Sequence, residues 1–179
     1  QQEKESIFEN SPGVNFVVGT EEFTRIGEIL DLIRKGEDDK ILAAKLDEEF
    51  KYERNVSARP NRYQAFISAM NGCDKFCTYC VVPFTRGREV SRRLGDILSE
   101  AKALVDDGVK EITLLGQRIE TYGKDFNYEV HLGDVLMKLA DLPGLDRVKF
   151  LTAHPMHMRR EIFEAMATSP KISRWLHMP

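Results

Sequence analysis

Hydrophobic positions along the chain fall into two regimes separated by a charged stretch. In the first, Val14-Asn15-Phe16-Val17-Val18 is a short β-branched and aromatic run suited to a buried strand. Phe23, Ile26, Leu30 and Ile33 then recur at spacings of three and four, which places them on one face of a helix. Thr20 is placed to cap its start, with Glu21 and Glu22 at the positive end of its dipole. Arg34 and Lys35 suit the other end, and Gly36 is a natural stop. One strand and one helix bury too little surface to fold alone. Residues 1–36 are therefore expected to be the carboxyl-terminal end of a domain that begins upstream. Residues 37–62 are strongly charged, close on Ala58-Arg59-Pro60-Asn61, and read as a linker with a short helix around 40–50.

From residue 63 the period changes to alternating strand and helix. Residues 63–70 read as a strand. Leu94, Ile97, Leu98, Ala101, Leu104 and Val105 form a helical stripe that stops at Gly108. Residues 109–115 are a strand, and Leu132, Val135, Leu136 and Leu139 mark a second helix closed by Pro143-Gly144. Residues 147–152 are a strand, Ile162, Phe163, Met166 and Ala167 mark a third helix, and residues 172–177 are a fourth strand. Alternation of this kind implies parallel strands joined by right-handed crossovers. The fold class is α/β. Residues 63–179 form about four strands of a parallel (βα) barrel, which needs about 250 residues when complete.

Composition adds limits rather than identity. The 179 residues are 42% hydrophobic and 31% charged, the balance of an ordinary globular chain. No apolar run approaches the roughly 20 residues of a bilayer-spanning helix. The start Gln1-Gln2-Glu3-Lys4-Glu5 lacks the order of a secretory signal, so the expected location is the cytoplasm, with no membrane partner. A net charge of −3 argues against nucleic-acid binding by bulk electrostatics. A local basic patch remains at Arg86, Arg88, Arg92 and Arg93.

The chemistry sits in three cysteines, all within eight residues: Cys73-Asp74-Lys75-Phe76-Cys77-Thr78-Tyr79-Cys80, or C-x3-C-x2-C. An odd, dense set is a poor disulfide framework and points to a metal or to catalysis. The loop follows the first predicted barrel strand, where parallel α/β folds gather their chemistry. Three readings compete. A structural zinc site wants four ligands, and the distant His154 and His157 are the available additions. An electron-carrier cluster wants four cysteines. Three cysteines holding a four-iron cluster leave one iron open, and an open position is the mark of a catalytic metal site.

This spacing after a first βα strand resembles the radical S-adenosylmethionine (SAM) superfamily. The resemblance implies that Cys73, Cys77 and Cys80 hold a [4Fe–4S] cluster whose open iron is chelated by the amino and carboxylate groups of SAM. Reductive cleavage would then give a 5′-deoxyadenosyl radical. Tyr79, before the last cysteine, would lie near the adenine. Phe76-Cys77-Thr78-Tyr79-Cys80-Val81-Val82-Pro83-Phe84-Thr85-Arg86-Gly87-Arg88-Glu89-Val90-Ser91-Arg92 is similar to the methylthiotransferase family, and specifically to its tRNA-modifying branch. Leu114-Leu115-Gly116-Gln117, Tyr122-Gly123, Thr152-Ala153-His154-Pro155 and Trp175-Leu176-His177-Met178-Pro179 extend the likeness over essentially the whole chain.

By this resemblance the intact enzyme inserts sulfur at C2 of an isopentenyl-adenosine beside the tRNA anticodon and methylates it. A flavodoxin or ferredoxin would supply electrons. Sister enzymes act on a ribosomal-protein aspartate or on threonylcarbamoyl-adenosine in tRNA, and remain as alternatives. Family members also begin with a domain carrying three further cysteines for a second [4Fe–4S] cluster. Those cysteines do not occur here, so these residues alone are expected not to complete methylthiolation. Gly116 and Gln117 are candidate contacts for the methionyl part of SAM. Arg86, Arg88, Arg92 and Arg93 are candidates for its carboxylate or for tRNA phosphate, Arg86 and Arg88 first because they adjoin the cysteine loop, and Arg93 is expected at the surface. His154 is a candidate pocket residue, whereas His131, His157 and His177 are expected to be structural or exposed. Trp175 reads as barrel core, and Glu100 as solvated surface. One departure is marked: the family has Asn-Val-Asn after Gly-Gln, and this chain has Arg118-Ile119-Glu120.

Overall fold

A computed structural model describes residues 3–36, 40–44 and 61–179. The chain divides into two units, Gln1–Glu53 with Asp74–Arg88, and Arg54–Cys73 with Glu89–Pro179. In the first, a short helix α1 (Ser6–Asn10) precedes strand β1 (Phe16–Val18). A 3-10 turn (Thr20–Arg25) leads into helix α2 (Ile26–Lys35), which returns the chain to strand β2 (Ile41–Ala43). The two strands pair in parallel, Phe16 opposite Ile41 and Val18 opposite Ala43. Helix α2 ends where expected, with Gly36 in the left-handed region at φ +69° and Arg34 and Lys35 in its last turn. Strand β2 replaces the start of the helix expected over 40–50. Leu42 and Ala43 find a parallel partner in β1, and that pairing outweighs their helix propensity. The rest of that stretch and most of the expected linker lie outside the described residues. Helix α3 (Val82–Arg86) also belongs to this unit.

The second unit carries strands β3 (Gln64–Ser68), β4 (Met70–Asn71) and β5 (Val90–Ser91), followed by helix α4 (Leu94–Asp106). Then come β6 (Glu111–Leu115), α5 (Leu132–Ala140), β7 (Arg147–Phe150) and α6 (Arg160–Thr168). Strands β3, β6 and β7 form one parallel sheet in that order. The alternation of each strand sends Ala65, Ile67, Ile112, Leu114, Val148 and Phe150 into a single buried cluster. Ile97 and Leu104 of α4, Leu136 and Leu139 of α5, and Ile162 of α6 complete it. The other face carries Gln64, Phe66, Glu111 and Lys149. Glu111 there accepts from Gln64 at 3.0 Å and from Lys149 at 2.8 Å, and Phe66 is 61% exposed. This is a partial (βα) barrel: helices cover one face of the sheet, and strand ends point the same way.

Two expectations change. The strand expected over 63–70 breaks at Ala69, whose N–H still donates to Leu115. Met70 and Asn71 turn aside to pair antiparallel with Ser91 and Val90. The fourth strand expected over 172–177 reduces to a single parallel bridge, Val148 with Ile172. Among the described residues no helix is long and apolar enough to cross a membrane.

The two faces of the sheet should respond differently to truncation. Leu136→Ala, in the buried cluster, should lower unfolding free energy by about 2–5 kcal/mol, and Phe66→Ala by about 0.5 kcal/mol. Urea unfolding of the two variants checks this, and equal losses would mean that the Phe66 face is covered.

Candidate functional site

The cysteine loop leaves from β4 and returns at β5. The two-residue antiparallel ribbon therefore fixes where a loop of this length starts and stops. Gly72, at φ +77°, turns the chain out of β4, and Cys73 beside it is buried. Phe76 holds φ +50°, a region that costs a side-chain-bearing residue about 1–3 kcal/mol and that collects at functional loops. Cys77 and Cys80 share one turn, with the Cys80 N–H donating to the Cys77 carbonyl at 2.9 Å. Pro83 near the start of α3 has no N–H to leave unpaired.

Apolar side chains stand out of this loop. Tyr79 is 88% exposed, and Phe76 and Phe84 meet edge to face with ring centres 5.8 Å apart. Arg88 lies 3.4 Å from Asp74, while Arg86 is half-buried at the end of α3. Among the described residues no three His, Cys, Asp or Glu side chains are gathered into a metal-holding group. Such gathering is commonly completed by the metal itself, since ligand thiols must first lose their protons.

At the carboxyl end of β6, Gly116 is buried. A Cβ there would stand 2.6 Å from Met70 Cγ, so glycine lets the loop pass β4. The Oε1 of Gln117 is buried without a hydrogen-bond partner, an acceptor left open at a strand end. Beyond it the marked departure resolves into a closed charge cluster. Arg118 is 6% exposed, donates to Glu89 Oε1 at 2.8 Å through Nη1, and reaches Glu120 Oε1 at 3.4 Å through Nε. Thr121 Oγ1 adds a donor to Glu89 at 3.2 Å. Arg118 thus pairs internally between two buried carboxylates and presents no free charge to a ligand.

The loop after β6 is tied down elsewhere. The Tyr122 hydroxyl donates to the Arg92 carbonyl at 2.6 Å, and burial pushes its pKa well above the ordinary phenol range, so it remains a donor. The Gly123 N–H donates to Ser91 Oγ at 2.9 Å, and Asp125 accepts from the Ser91 N–H at 2.8 Å. A Cβ on Gly123 would run into the Val130 carbonyl.

Three readings of side chains need correction, those of Arg92, Glu100 and Trp175. Arg92 is buried, paired to Glu100 and donating to the carbonyls of Ser68 and Asp96, so it is a structural cation and not an anion contact. Glu100 is correspondingly half-buried as its partner, because a residue in the second turn of α4 can reach back to it. Trp175 is 54% exposed and stacks on His177 instead of entering the core, where the residue 172–177 segment makes only one bridge. His154 caps a 3-10 turn, its Nδ1 accepting from Met156 N–H at 3.2 Å. Arg93 is exposed as expected. The sequence reading passed over Glu89, whose burial has no signature in a run of charged residues.

Comparison with known proteins adds the following. The family profile described as the Radical SAM superfamily matches residues 67–178. The chain is 43% identical over 176 residues to the tRNA-2-methylthio-N(6)-dimethylallyladenosine synthase of Thermosipho africanus, covering 98% of this chain and 40% of that protein. It is 40% identical over 179 residues to the synthase of the same name from Protochlamydia amoebophila, covering 98% and 39%. The corresponding Roseobacter denitrificans protein is 41% identical over 185 residues, covering 100% and 41%. The chain thus spans about two fifths of the length of these relatives. Among solved structures, the radical S-adenosylmethionine methyltransferase TsrM of Kitasatospora setae, with tryptophan and a SAM analogue bound, superimposes with a TM-score of 0.55. Sequence identity is 16%, covering 84% of this chain and 34% of that one. That likeness is one of fold.

The charge cluster makes a testable pair. Arg118→Asn alone leaves two buried carboxylates without their cation and should cost about 3–5 kcal/mol. The double change Arg118→Asn with Glu120→Asn removes one of those charges and should recover much of the loss. Urea midpoints of these two variants and of Glu120→Asn alone decide it, and additive losses would show that the residues are not coupled.

Proposed function

We infer that this chain, which belongs to the radical SAM superfamily, forms the cluster-bearing part of a methylthiotransferase acting on N6-isopentenyl-adenosine beside the anticodon of tRNA. The observation that carries this is the C-x3-C-x2-C loop leaving the first barrel strand, within a sequence alike from end to end to synthases named for that product. Residues 63–179 are assigned to the radical core and 1–36 to an α/β domain that, because β2 at Ile41–Ala43 pairs with β1, extends into the stretch 37–62 read as a linker.

The residues present fit a [4Fe–4S] cluster and SAM. Cys73, Cys77 and Cys80 offer three thiolates and no fourth cysteine, so one iron stays available to another ligand. Gln117 Oε1 is a buried acceptor without a protein donor, and the amino group of SAM is a donor of the kind it lacks. Gly116 positions that residue by letting the strand end pass Met70. Tyr79, with its ring in the open, is available to stack on an adenine. Arg86, at the end of α3, is the proposed contact for the SAM carboxylate.

When bound, the cluster and SAM supply a carbon-centred radical able to take hydrogen from an unactivated C–H bond. The chain's own task is to hold, orient and shield. Internal pairing of Arg118 keeps its charge from competing for the SAM carboxylate, so the departure from the family's Asn-Val-Asn leaves the SAM reading intact. A flavodoxin or ferredoxin is the proposed electron donor.

A second reading, a sister enzyme with a ribosomal-protein aspartate as target, shares the same cysteine loop. It is separated by assaying tRNA against ribosomal protein with the full-length enzyme.

Anaerobically reconstituted, dithionite-reduced protein should give a [4Fe–4S]⁺ EPR signal that shifts when SAM is added. Cys77→Ala should bring reductive SAM cleavage to background, and Gln117→Leu should raise the SAM concentration needed for the shift about tenfold. Undiminished cleavage by cluster-loaded Cys77→Ala protein would sink the assignment of that ligand, and an unshifted signal would mean that these residues do not bind SAM or that the cluster only carries electrons.

A further inference from the structure

The chain between β6 and α5 carries two features that the cluster chemistry leaves unused, both within the second unit. The first is a cleft of about 440 Å³, a volume that holds a small organic ligand or one unit of a polymer. Lys124, His131, His157 and Arg159 line it, together with the chain at residues 120–123. The Glu120 side chain is fully buried beside Arg118, so its charge stays with that guanidinium. Lys124 and Arg159 are exposed, and among the described residues no carboxylate pairs with either. Arg160, next in sequence, is by contrast paired with Glu164 at 2.7 Å. Arg159 Nη1 lies 2.8 Å from both ring nitrogens of His131, which holds the guanidinium at the cleft. Glu129 reaches His131 Nε2 at 3.4 Å, and Asp134 accepts from the His131 N–H at 2.7 Å. Carboxylates thus stand at His131, and the positive charge of the cleft rests on Lys124 and Arg159.

The second feature is an aromatic ladder that starts at the cleft wall. Tyr122 lines the cleft, and Phe126 meets it edge to face with 5.9 Å between ring centres. Tyr128 lies parallel on Phe126, with 10° between planes and 4.9 Å between centres, and is 53% exposed. The ladder is anchored at its inner end, where the Tyr122 hydroxyl donates to the Arg92 carbonyl at 2.6 Å. The loop that carries it is pinched where Gly123 passes the Val130 carbonyl too closely for a Cβ. Tyr128 is therefore set in place before any ligand arrives, and a ligand that stacks on it gives up little side-chain freedom. Cations for a phosphate backbone, beside rings on which bases stack, are the two components of a single-stranded nucleic-acid site.

We propose that the loop 122–131 and the start of α6 form a site for unpaired RNA, with Lys124 and Arg159 meeting phosphates and Tyr128 stacking on a base. The proposal rests on the reading of tRNA as the substrate and goes beyond it by naming residues of the second unit that hold the nucleic acid. A net charge of −3 leaves no bulk attraction for RNA. Two cations without carboxylate partners, next to a fixed ring, are a form of recognition that an acidic chain can use. An acidic peptide would satisfy the cations but gain nothing from the ring. Every base has a π-face, so the site holds RNA without reading its sequence.

The test is fluorescence anisotropy of this chain with a labelled RNA anticodon stem-loop over a range of salt concentrations. Lys124→Ala and Arg159→Ala should each weaken binding about fivefold and lower the salt slope by about one. Tyr128→Ala should weaken binding about tenfold with the salt slope unchanged. Tyr128→Phe should restore it, because stacking needs the ring and not the hydroxyl. Arg160→Ala, which removes a cation already paired with Glu164, should change binding by less than about twofold. All four side chains are exposed, so urea midpoints of the variants should match that of the unmodified chain. Unchanged binding by Lys124→Ala and Arg159→Ala, or a Tyr128→Ala loss that phenylalanine does not repair, overturns the site while RNA remains the substrate. No RNA binding by the unmodified chain overturns the site and counts against the tRNA reading with it. Poly-glutamate bound as tightly as the RNA at equal charge would assign the cleft to an acidic protein and also overturn the proposal.

Discussion

A parallel sheet sends every strand's carboxyl end to the same side, and that constraint organises the second unit. Strands β3, β6 and β7 each bury alternate residues against α4, α5 and α6. The core does more than stabilise. With Ile67, Ile112, Leu114, Val148 and Phe150 fixed in one cluster, the loops that follow the strands have fixed starting points. The cysteine loop follows β4, Gln117 follows β6, and Thr152 follows β7 at φ +67°, a strained conformation for a β-branched residue. The Ile119 N–H donates to the Thr152 carbonyl at 3.3 Å, so the loops after β6 and β7 hold each other.

The second organising feature is electrostatic. Glu89, Arg118 and Glu120 bring three charges into a site almost free of water, where an unpaired charge is prohibitively costly and a paired one is roughly neutral. The cluster joins the residue that leads into β5 to the loop after β6. Tyr122, Ser91 and Asp125 add uncharged or charge-assisted bonds across the same junction. Rigidity at this junction fixes Gln117 and Glu120, each of which carries a buried oxygen without a partner. Orphaned acceptors are rare in folded proteins. Two of them fall within four residues, in the loop that follows β6.

Where pattern and structure agree, the reason is local. The alternation of strand and helix segments found β3 and β7, period-three-and-four spacing found α4, α5 and α6, and a glycine in the left-handed region ended α2 at residue 36 as its type suggested. Where they part, the reason is a partner remote in sequence. Met70 and Asn71 look like more of the preceding strand until Val90 and Ser91 are there to pair with them. Residues 41–43 look helical until β1 offers a parallel edge. Arg92 and Glu100 each look solvated until they are seen to neutralise one another.

The sequence by itself determined the α/β class, the order of the main strands and helices of the second unit, and the C-x3-C-x2-C spacing of the cysteine loop. Those depend on side-chain period and on residues a few positions apart, which a linear chain displays directly. Only the tertiary structure decided that Arg118 turns inward between Glu89 and Glu120, that Gln117 and Glu120 each keep an acceptor open, and that His131, His157 and Arg159 share a cleft with Lys124. The physical reason is that burial of a charge, and the partner that makes burial tolerable, are set by residues about 30 positions away. No local spacing records that distance.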